Sequence, residues 1–336
     1  MREKVYVIAE AGVNHNGDIL IAKRLVDEAK ACGADAVKFQ AFKTRSLVTD
    51  SAGQAEYQVK NTGGSGKQSE ILRKLELSAE EFAVLVDYCD KKCIDFLCTP
   101  FDHDSIDMLL QLGVTHFKIP SGEITNVPYL RHLGSEAGHI IMSTGMANLG
   151  EVEFALHCLM KAGMSREEVT VLHATTDYPT EMSDVNLSAL RTLSRSLAVE
   201  VGYSDHTEGV EVAVAAVAIG AKVIEKHFTL DRNMEGPDHI ASLEPKQLVT
   251  MIQSIRNVEA AMGNGLKAPM PGELKNLDLV RKSIVARSEI KEGERFSEHN
   301  LAVKRPATGI SPIHWDEIIG LKASKHYHPD DPIDWA

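Results

Sequence analysis

What this chain of 336 residues lacks narrows its function first. It has no net positive charge: 48 acidic residues against 36 Lys and Arg leave a formal charge of -12. That argues against a nucleic-acid binder, which must displace counterions with clustered cations. It leaves room for a small anion held by a few focused lysines. Long hydrophobic runs are also absent. The most apolar stretch, 210–224, is broken by Glu211, Gly220 and Lys222 and is too short to cross a bilayer. No basic-then-apolar leader precedes the strand-like run at 5–9, so a cytoplasmic protein with no membrane partner is expected. Cysteine is scarce. Cys32, Cys89, Cys93, Cys98 and Cys158 show neither zinc nor thioredoxin spacing, and an odd count in a large chain fits a reducing compartment. Cys89 and Cys93, four apart, read as two small buried hydrophobes on one helix face. The run Gly63-Gly64-Ser65-Gly66 matches no phosphate-loop or dinucleotide pattern. Met146, Met160 and Met164 read as core filler.

What is present is a regular alternation. Short apolar runs at 5–10, 36–40, 95–99, 116–120, 139–144, 169–175, 200–204 and 222–228 predict strands. Amphipathic segments at 19–32, 79–92, 104–112, 127–137, 150–162, 186–196, 210–219 and 245–262 predict the helices between them, several closing near a glycine. Eight βα units fit a (β/α)8 TIM barrel over 1–263 better than an open sheet. The one irregular interval, 41–78, is rich in Gly, Ser, Lys and Gln and reads as a structureless, substrate-covering segment. Beyond the barrel, 264–281 has linker composition, and 282–336, with strand-like pieces at 283–286 and 301–304, predicts a small β-rich domain. A domain that small needs packing support.

In such a barrel the chemistry sits at the C-terminal strand ends, where side chains two apart share a face. Reading those ends brings Glu10, Lys38, Gln40, Thr99, Lys118, Ser121, Glu123, Ser143, Thr176, Ser204, His206, Glu225 and His227 toward one mouth. His206 and His227 end adjacent strands and can share one divalent cation, with a carboxylate such as Glu225 nearby; alternatively both are hydrogen-bonded core residues. The cation is the favoured reading. Lys38 and Lys118 stand in otherwise apolar strands, where an unpaired ammonium is costly. Three roles fit them: a pocket for a multiply charged anion, a Schiff-base lysine, or structural ion pairs with Glu10 and Glu123. Two lysines beside several hydroxyls suit phosphate with carboxylate best.

These same segments resemble the bacterial sialic acid synthase family, which includes N-acetylneuraminate and N,N'-diacetyllegionaminate synthases. The matching motifs are Ala9-Glu10-Ala11-Gly12-Val13-Asn14-His15-Asn16-Gly17, Val37-Lys38-Phe39-Gln40, Cys98-Thr99-Pro100-Phe101 and Lys118-Ile119-Pro120-Ser121-Gly122-Glu123. Further on come Ser143-Thr144-Gly145-Met146, Gly202-Tyr203-Ser204-Asp205-His206-Thr207, Glu225-Lys226-His227-Phe228 and Gly236-Pro237-Asp238-His239, then Val303-Lys304-Arg305-Pro306 in the tail. The resemblance implies an enzyme that condenses phosphoenolpyruvate with an N-acylated amino sugar and releases phosphate. It implies a C-terminal antifreeze-like (SAF) domain that crosses to the partner barrel of a homodimer. Lys38, Thr99, Lys118, Ser121, Ser143 and Ser204 would bind phosphoenolpyruvate. His206 and His227 would hold Mn2+, or else Mg2+ or Co2+. Glu10 or Glu123 would handle protons, and Gln40, Thr176, Tyr178, Asp238 and Arg305 would meet the sugar. Ala174 and Thr176 stand where some members have Cys and Asn, and the stretch 175–179 is more like legionaminate-type members. The acceptor is then a 2,4-diacetamido-2,4,6-trideoxymannose, with N-acetylmannosamine as the rival. Another metal-dependent keto-sugar-acid synthase or aldolase, or a non-catalytic carbohydrate-binding barrel, are the alternative readings.

Overall fold

The computed structural model describes residues 4–49 and 67–335. Eight parallel strands close in chain order: β1 (Tyr6–Gly12), β2 (Ala36–Ala41), β3 (Asp95–Pro100), β4 (His116–Ile119), β5 (His139–Ser143), β6 (Val169–Ala174), β7 (Glu200–Asp205) and β8 (Val223–His227). β1 pairs with both β2 and β8, which seals the cylinder and leaves no open edge. The (β/α)8 expectation holds. Helices Ile19–Cys32 and Ala79–Lys92 occupy the predicted spans, because their caps are written locally. Asp18 accepts from Leu20 N, and Ser78 with Glu81 forms a reciprocal capping box. The second helix ends at Lys92, so Cys93 falls beyond it and is exposed; only Cys89 of that pair is buried.

The barrel interior is layered. Ile8, Ala36, Leu97, Ile141, Leu172 and Val223 form an apolar plug. Two residues further along the same strands, on the same face, stand Glu10, Lys38, Thr99, Ser143 and Glu225. The plug therefore closes the barrel beneath a polar chamber. Gly202 on β7 belongs to the plug layer for lack of space: a Cβ there would lie 2.4 Å from Val223 O and 2.5 Å from Leu172 Cδ2. Gly202→Ala is expected to cost about 1–3 kcal/mol through overpacking, read as a lower midpoint in urea unfolding.

Segment 41–78 is not structureless where it is described. Thr44–Leu47 and Gln68–Leu75 are helical, and Leu47, Ile71, Leu72 and Leu75 pack with Val13, Phe42 and Phe101. The glycine-rich run 63–66 lies outside the described residues.

A second compact unit begins at Asn264. The stretch expected as a plain linker carries two helical turns, Pro271–Leu274 and Leu277–Val280. β9 (Ser283–Ala286) pairs antiparallel with β10 (Leu301–Lys304) over a core that includes Ile284, Ile290, Phe296, Leu301, Ile318 and Tyr327. Among the described residues, no helix is long and apolar enough to cross a membrane.

Candidate active site

A cavity of about 310 Å³ opens above the plug, within the range of small-ligand sites. Its floor is an ion-paired cluster. Lys38 Nζ lies 2.8 Å from Glu225 Oε2 and 3.1 Å from Glu10 Oε2, and Lys118 Nζ lies 3.3 Å from Glu225 Oε1. Ser204 Oγ donates to Glu225 Oε1 at 2.8 Å. All five groups are buried. Burial opposes the charge on Glu225, but the two ammoniums overcome it and hold its carboxyl well below the usual range. Burial likewise opposes charge on Lys38, yet Glu10 and Glu225 together raise it. Lys118 has the weaker counter-ion contact. Burial prevails there, and its ammonium is pushed down to about 8. Glu10 is raised, chiefly by burial, although Lys38 pulls the other way.

Around this floor several polar atoms are unengaged. Thr99 Oγ1 and Ser143 Oγ are buried without a hydrogen-bond partner. A buried hydroxyl with nothing to bond carries a desolvation penalty that a bound oxyanion would relieve. Ser121 Oγ accepts from Gly145 N at 2.9 Å and so fixes the turn after β5. That approach requires glycine, since a Cβ on Gly145 would meet Thr176 Oγ1 at 2.2 Å.

His206 and His227 face one another at the rim, ring centroids 5.5 Å apart, with Tyr178 4.2 Å from the first ring and edge-on to the second. His206 Nδ1 bonds the Thr175 carbonyl at 2.6 Å, which fixes the ring's orientation and leaves Nε2 as its other donor atom. His227 Nδ1 is buried and has no partner. Burial pushes His206 down to about 4 and His227 well below its usual value, so both imidazoles are neutral at pH 7. Two neutral imidazoles, one oriented through its second nitrogen and the other with an orphaned nitrogen, fit a divalent cation of the first transition row. Beside them, both Glu225 oxygens are engaged by Lys38, Lys118 and Ser204. The three-ligand group among the described residues lies elsewhere, at Glu289, His326 and His328.

Gln40 Nε2 donates to Glu10 Oε1 at 3.1 Å, and Gln40, Thr176, Tyr178 and Asp238 all line the cavity. Burial, then the charge of Glu10, raises the Asp238 carboxyl to about 7. Glu123 is not part of the lining. It sits in a 3-10 turn after β4, where its Oε2 accepts from Asn126 Nδ2 at 2.6 Å. Arg305 belongs to the second unit, where Nε donates to Val280 O at 2.9 Å.

Four features escape the residue-by-residue reading. Met146 is no core filler: it is 73% exposed at φ +64° and lines the cavity. An apolar wall of Phe42, Leu47, Ile71 and Leu72 faces the polar floor; the helical spacing of 71, 72 and 75 is its only signal in the sequence. Behind β7 and β8, Lys226 Nζ bonds Asp205 Oδ2 at 2.7 Å and the Thr207 carbonyl at 2.6 Å, and Asp205 Oδ1 holds Thr207. This buried pair braces the two histidine-bearing strands from outside the barrel. The two asparagines of the first motif also brace the rim: Asn14 Nδ2 donates to Phe228 O and Ser242 Oγ, and Asn16 Nδ2 donates to Glu235 O, three residues before Asp238.

A NeuB family model matches residues 25–267, and a SAF domain model matches 281–336. The chain is 50% identical to an N,N'-diacetyllegionaminic acid synthase of Campylobacter jejuni, over 98% of this chain and 99% of that one. It is 45% identical to a protein of the same name from Legionella pneumophila, over 98% and 93%. A solved sialic acid synthetase from Leptospira borgpetersenii superposes with a TM-score of 0.72 at 34% identity, covering 82% of this chain and 90% of that one. With a paired-lysine floor beneath two neutral imidazoles and relatives matched along nearly their whole length, this chain belongs to the NeuB family of sialic acid-type synthases.

Proposed function

We propose that the enzyme condenses phosphoenolpyruvate with 2,4-diacetamido-2,4,6-trideoxymannose, giving N,N'-diacetyllegionaminate and phosphate. The observation that carries this reading is the chamber floor: two buried lysines beside two hydroxyls with no partner, matched to an anion that bears both phosphate and carboxylate. The similarity to two N,N'-diacetyllegionaminic acid synthases favours the diacetamido acceptor, and the apolar wall suits a sugar bearing methyl groups.

In this mechanism Lys38 and Lys118 hold phosphate and carboxylate, and Thr99, Ser121, Ser143 and Ser204 surround them. Gln40, Thr176, Tyr178 and Asp238 orient the open-chain sugar, so that its aldehyde carbon meets the enol carbon. His206 and His227 would hold a divalent cation, Mn2+ or else Mg2+ or Co2+, which when bound supplies Lewis acidity toward the aldehyde oxygen. The carbon–carbon bond forms, water adds to the resulting cation, and phosphate leaves by carbon–oxygen cleavage. Lys38 and Lys118 stabilise the anionic partner throughout. Glu10, a raised carboxyl at the floor, handles the proton steps in place of Glu123, which is engaged with Asn126. Arg305 contacts sugar in the neighbouring barrel of a cytoplasmic homodimer. Mixed dimers of Arg305→Ala with a barrel-dead partner then recover part of the activity lost by each homodimer.

Phosphate release from phosphoenolpyruvate, measured with each acceptor and with and without chelator, tests the reading. Turnover with the diacetamido sugar that chelation abolishes and Mn2+ restores is the expected result; equal turnover with N-acetylmannosamine would overturn the acceptor choice. The lowered ammonium of Lys118 adds a pH signature. Bound substrate phosphate favours its protonated form, so kcat/KM for phosphoenolpyruvate should fall above pH about 8, while kcat holds to higher pH. Parallel profiles of the two parameters would remove Lys118 from anion binding.

A further inference from the structure

The second unit carries its own group of metal-ligating side chains, flanking an isolated bridge that fixes their direction. Ile290 and Tyr327 face each other across an antiparallel bridge, with N–H···O contacts of 3.0 and 2.9 Å in the two directions. Both side chains point into the core and are fully buried. By strand alternation, their neighbours Glu289, His326 and His328 all project to the opposite, solvent face. His326 and His328, two apart on either side of bridge residue Tyr327, place their rings 4.9 Å apart at 71°. Glu289 comes from the facing segment, its Oε1 3.0 Å from His326 Nε2. One ligand atom from each of the three lies within 4.8 Å of the others.

We propose that Glu289, His326 and His328 form a zinc-class metal site that clamps the C-terminal segment of this unit to the loop after β9. Two imidazoles and one carboxylate are a borderline donor set. It selects zinc, nickel or copper over magnesium, calcium or manganese, which prefer all-oxygen shells or bind nitrogen more weakly. Tetrahedral zinc with bonds of about 2.0–2.1 Å needs ligand atoms roughly 3.3 Å apart. The three side chains are exposed and can close the remaining distance by rotation, while the Ile290–Tyr327 bridge holds their Cα atoms. Water completes the coordination. The benefit is local: a unit near the size below which a hydrophobic core is marginal gains a cross-link between segments far apart in sequence. The 3.0 Å contact between His326 Nε2 and Glu289 Oε1 already brings two of the three ligand atoms together.

Calorimetric titration of zinc into the metal-stripped full chain tests this independently of the barrel. His326→Ala/His328→Ala is expected to bind one zinc ion per chain fewer than wild type. It should keep wild-type condensation activity with manganese, and its unfolding temperature should equal wild type only when zinc is absent. A His206→Ala/His227→Ala chain is expected to retain one zinc equivalent, which Glu289→Gln then weakens. Equal zinc stoichiometry in wild type and the tail variant would overturn the proposal, as would a barrel variant that binds none. Because the three side chains are exposed and outside the core, a tail variant that loses zinc yet matches wild type in circular dichroism counts as loss of the site and not of the fold.

Discussion

Glu225→Gln is expected to destabilise the enzyme by about 3–5 kcal/mol at pH 7, the usual penalty for removing one partner of a buried ion pair. Glu225 is the shared counter-ion of Lys38 and Lys118, and all three side chains are at most 5% exposed. Glutamine preserves the shape and still serves Ser204. What it removes is the carboxylate that contacts both ammoniums, leaving Glu10 to face Lys38 alone. The pH dependence identifies the cause. In the wild type, Lys118 titrates near 8 in the folded state and near its ordinary, higher value when unfolded. Between those values the unfolded chain binds more protons, so this group's contribution to stability rises with pH. Without Glu225, Lys118 shifts further down and Lys38 loses part of what raises it, so the window widens toward neutrality. The deficit of Glu225→Gln should therefore shrink steadily from pH 7 to pH 10 in urea unfolding. A pH-independent deficit would mean that packing, not charge, is what Glu225 supplies. Phosphoenolpyruvate should also raise the variant's melting temperature more than the wild type's, since the anion brings back the missing negative charge.

The legibility of this site follows from the period of a strand. Ile8, Ala36, Leu97, Ile141 and Val223 are apolar, and the residues two further on are Glu10, Lys38, Thr99, Ser143 and Glu225. That alternation alone marks out the polar chamber and the plug beneath it. Cap chemistry makes the helices Ile19–Cys32 and Ala79–Lys92 readable to their ends. What local pattern does not encode is whatever depends on how a loop returns. Glu123 has the same residue type and strand-end position as Glu10, yet a 3-10 turn carries it away to Asn126. Glu225 is indistinguishable in sequence from a metal carboxylate. Only the placement of two lysines from β2 and β4 shows that its oxygens contact ammonium groups. Met146 follows Gly145 into a left-handed turn, and no hydrophobicity pattern encodes that. The pairing that aligns Glu289 with His326 and His328 joins distant segments through a single bridge, beyond the reach of local periodicity.

His227→Ala should lower turnover by about a thousandfold or more, since a Lewis acid at a developing alkoxide is worth several kcal/mol and each ~1.4 kcal/mol is a factor of ten. Stability should move little, and this is what separates a ligand from a core histidine. A satisfied core histidine loses a hydrogen bond when truncated; His227 Nδ1 has none to lose, and the ring lies against a water-accessible cavity. His206 offers the internal contrast. Its Nδ1 is bonded to the Thr175 carbonyl at 2.6 Å, so His206→Ala leaves that carbonyl with only the long 3.5 Å contact from Thr180 Oγ1 and should cost stability as well as activity. Manganese paramagnetic resonance on each variant completes the test, the barrel-bound signal disappearing in both. If His227→Ala kept its manganese signal and its turnover while losing several degrees of melting temperature, the imidazole would be structural and the cation would have to sit elsewhere. The geometry sets the expected direction: His227 Nδ1 is buried and bonds nothing in the protein, a desolvation penalty that a ligand there would relieve.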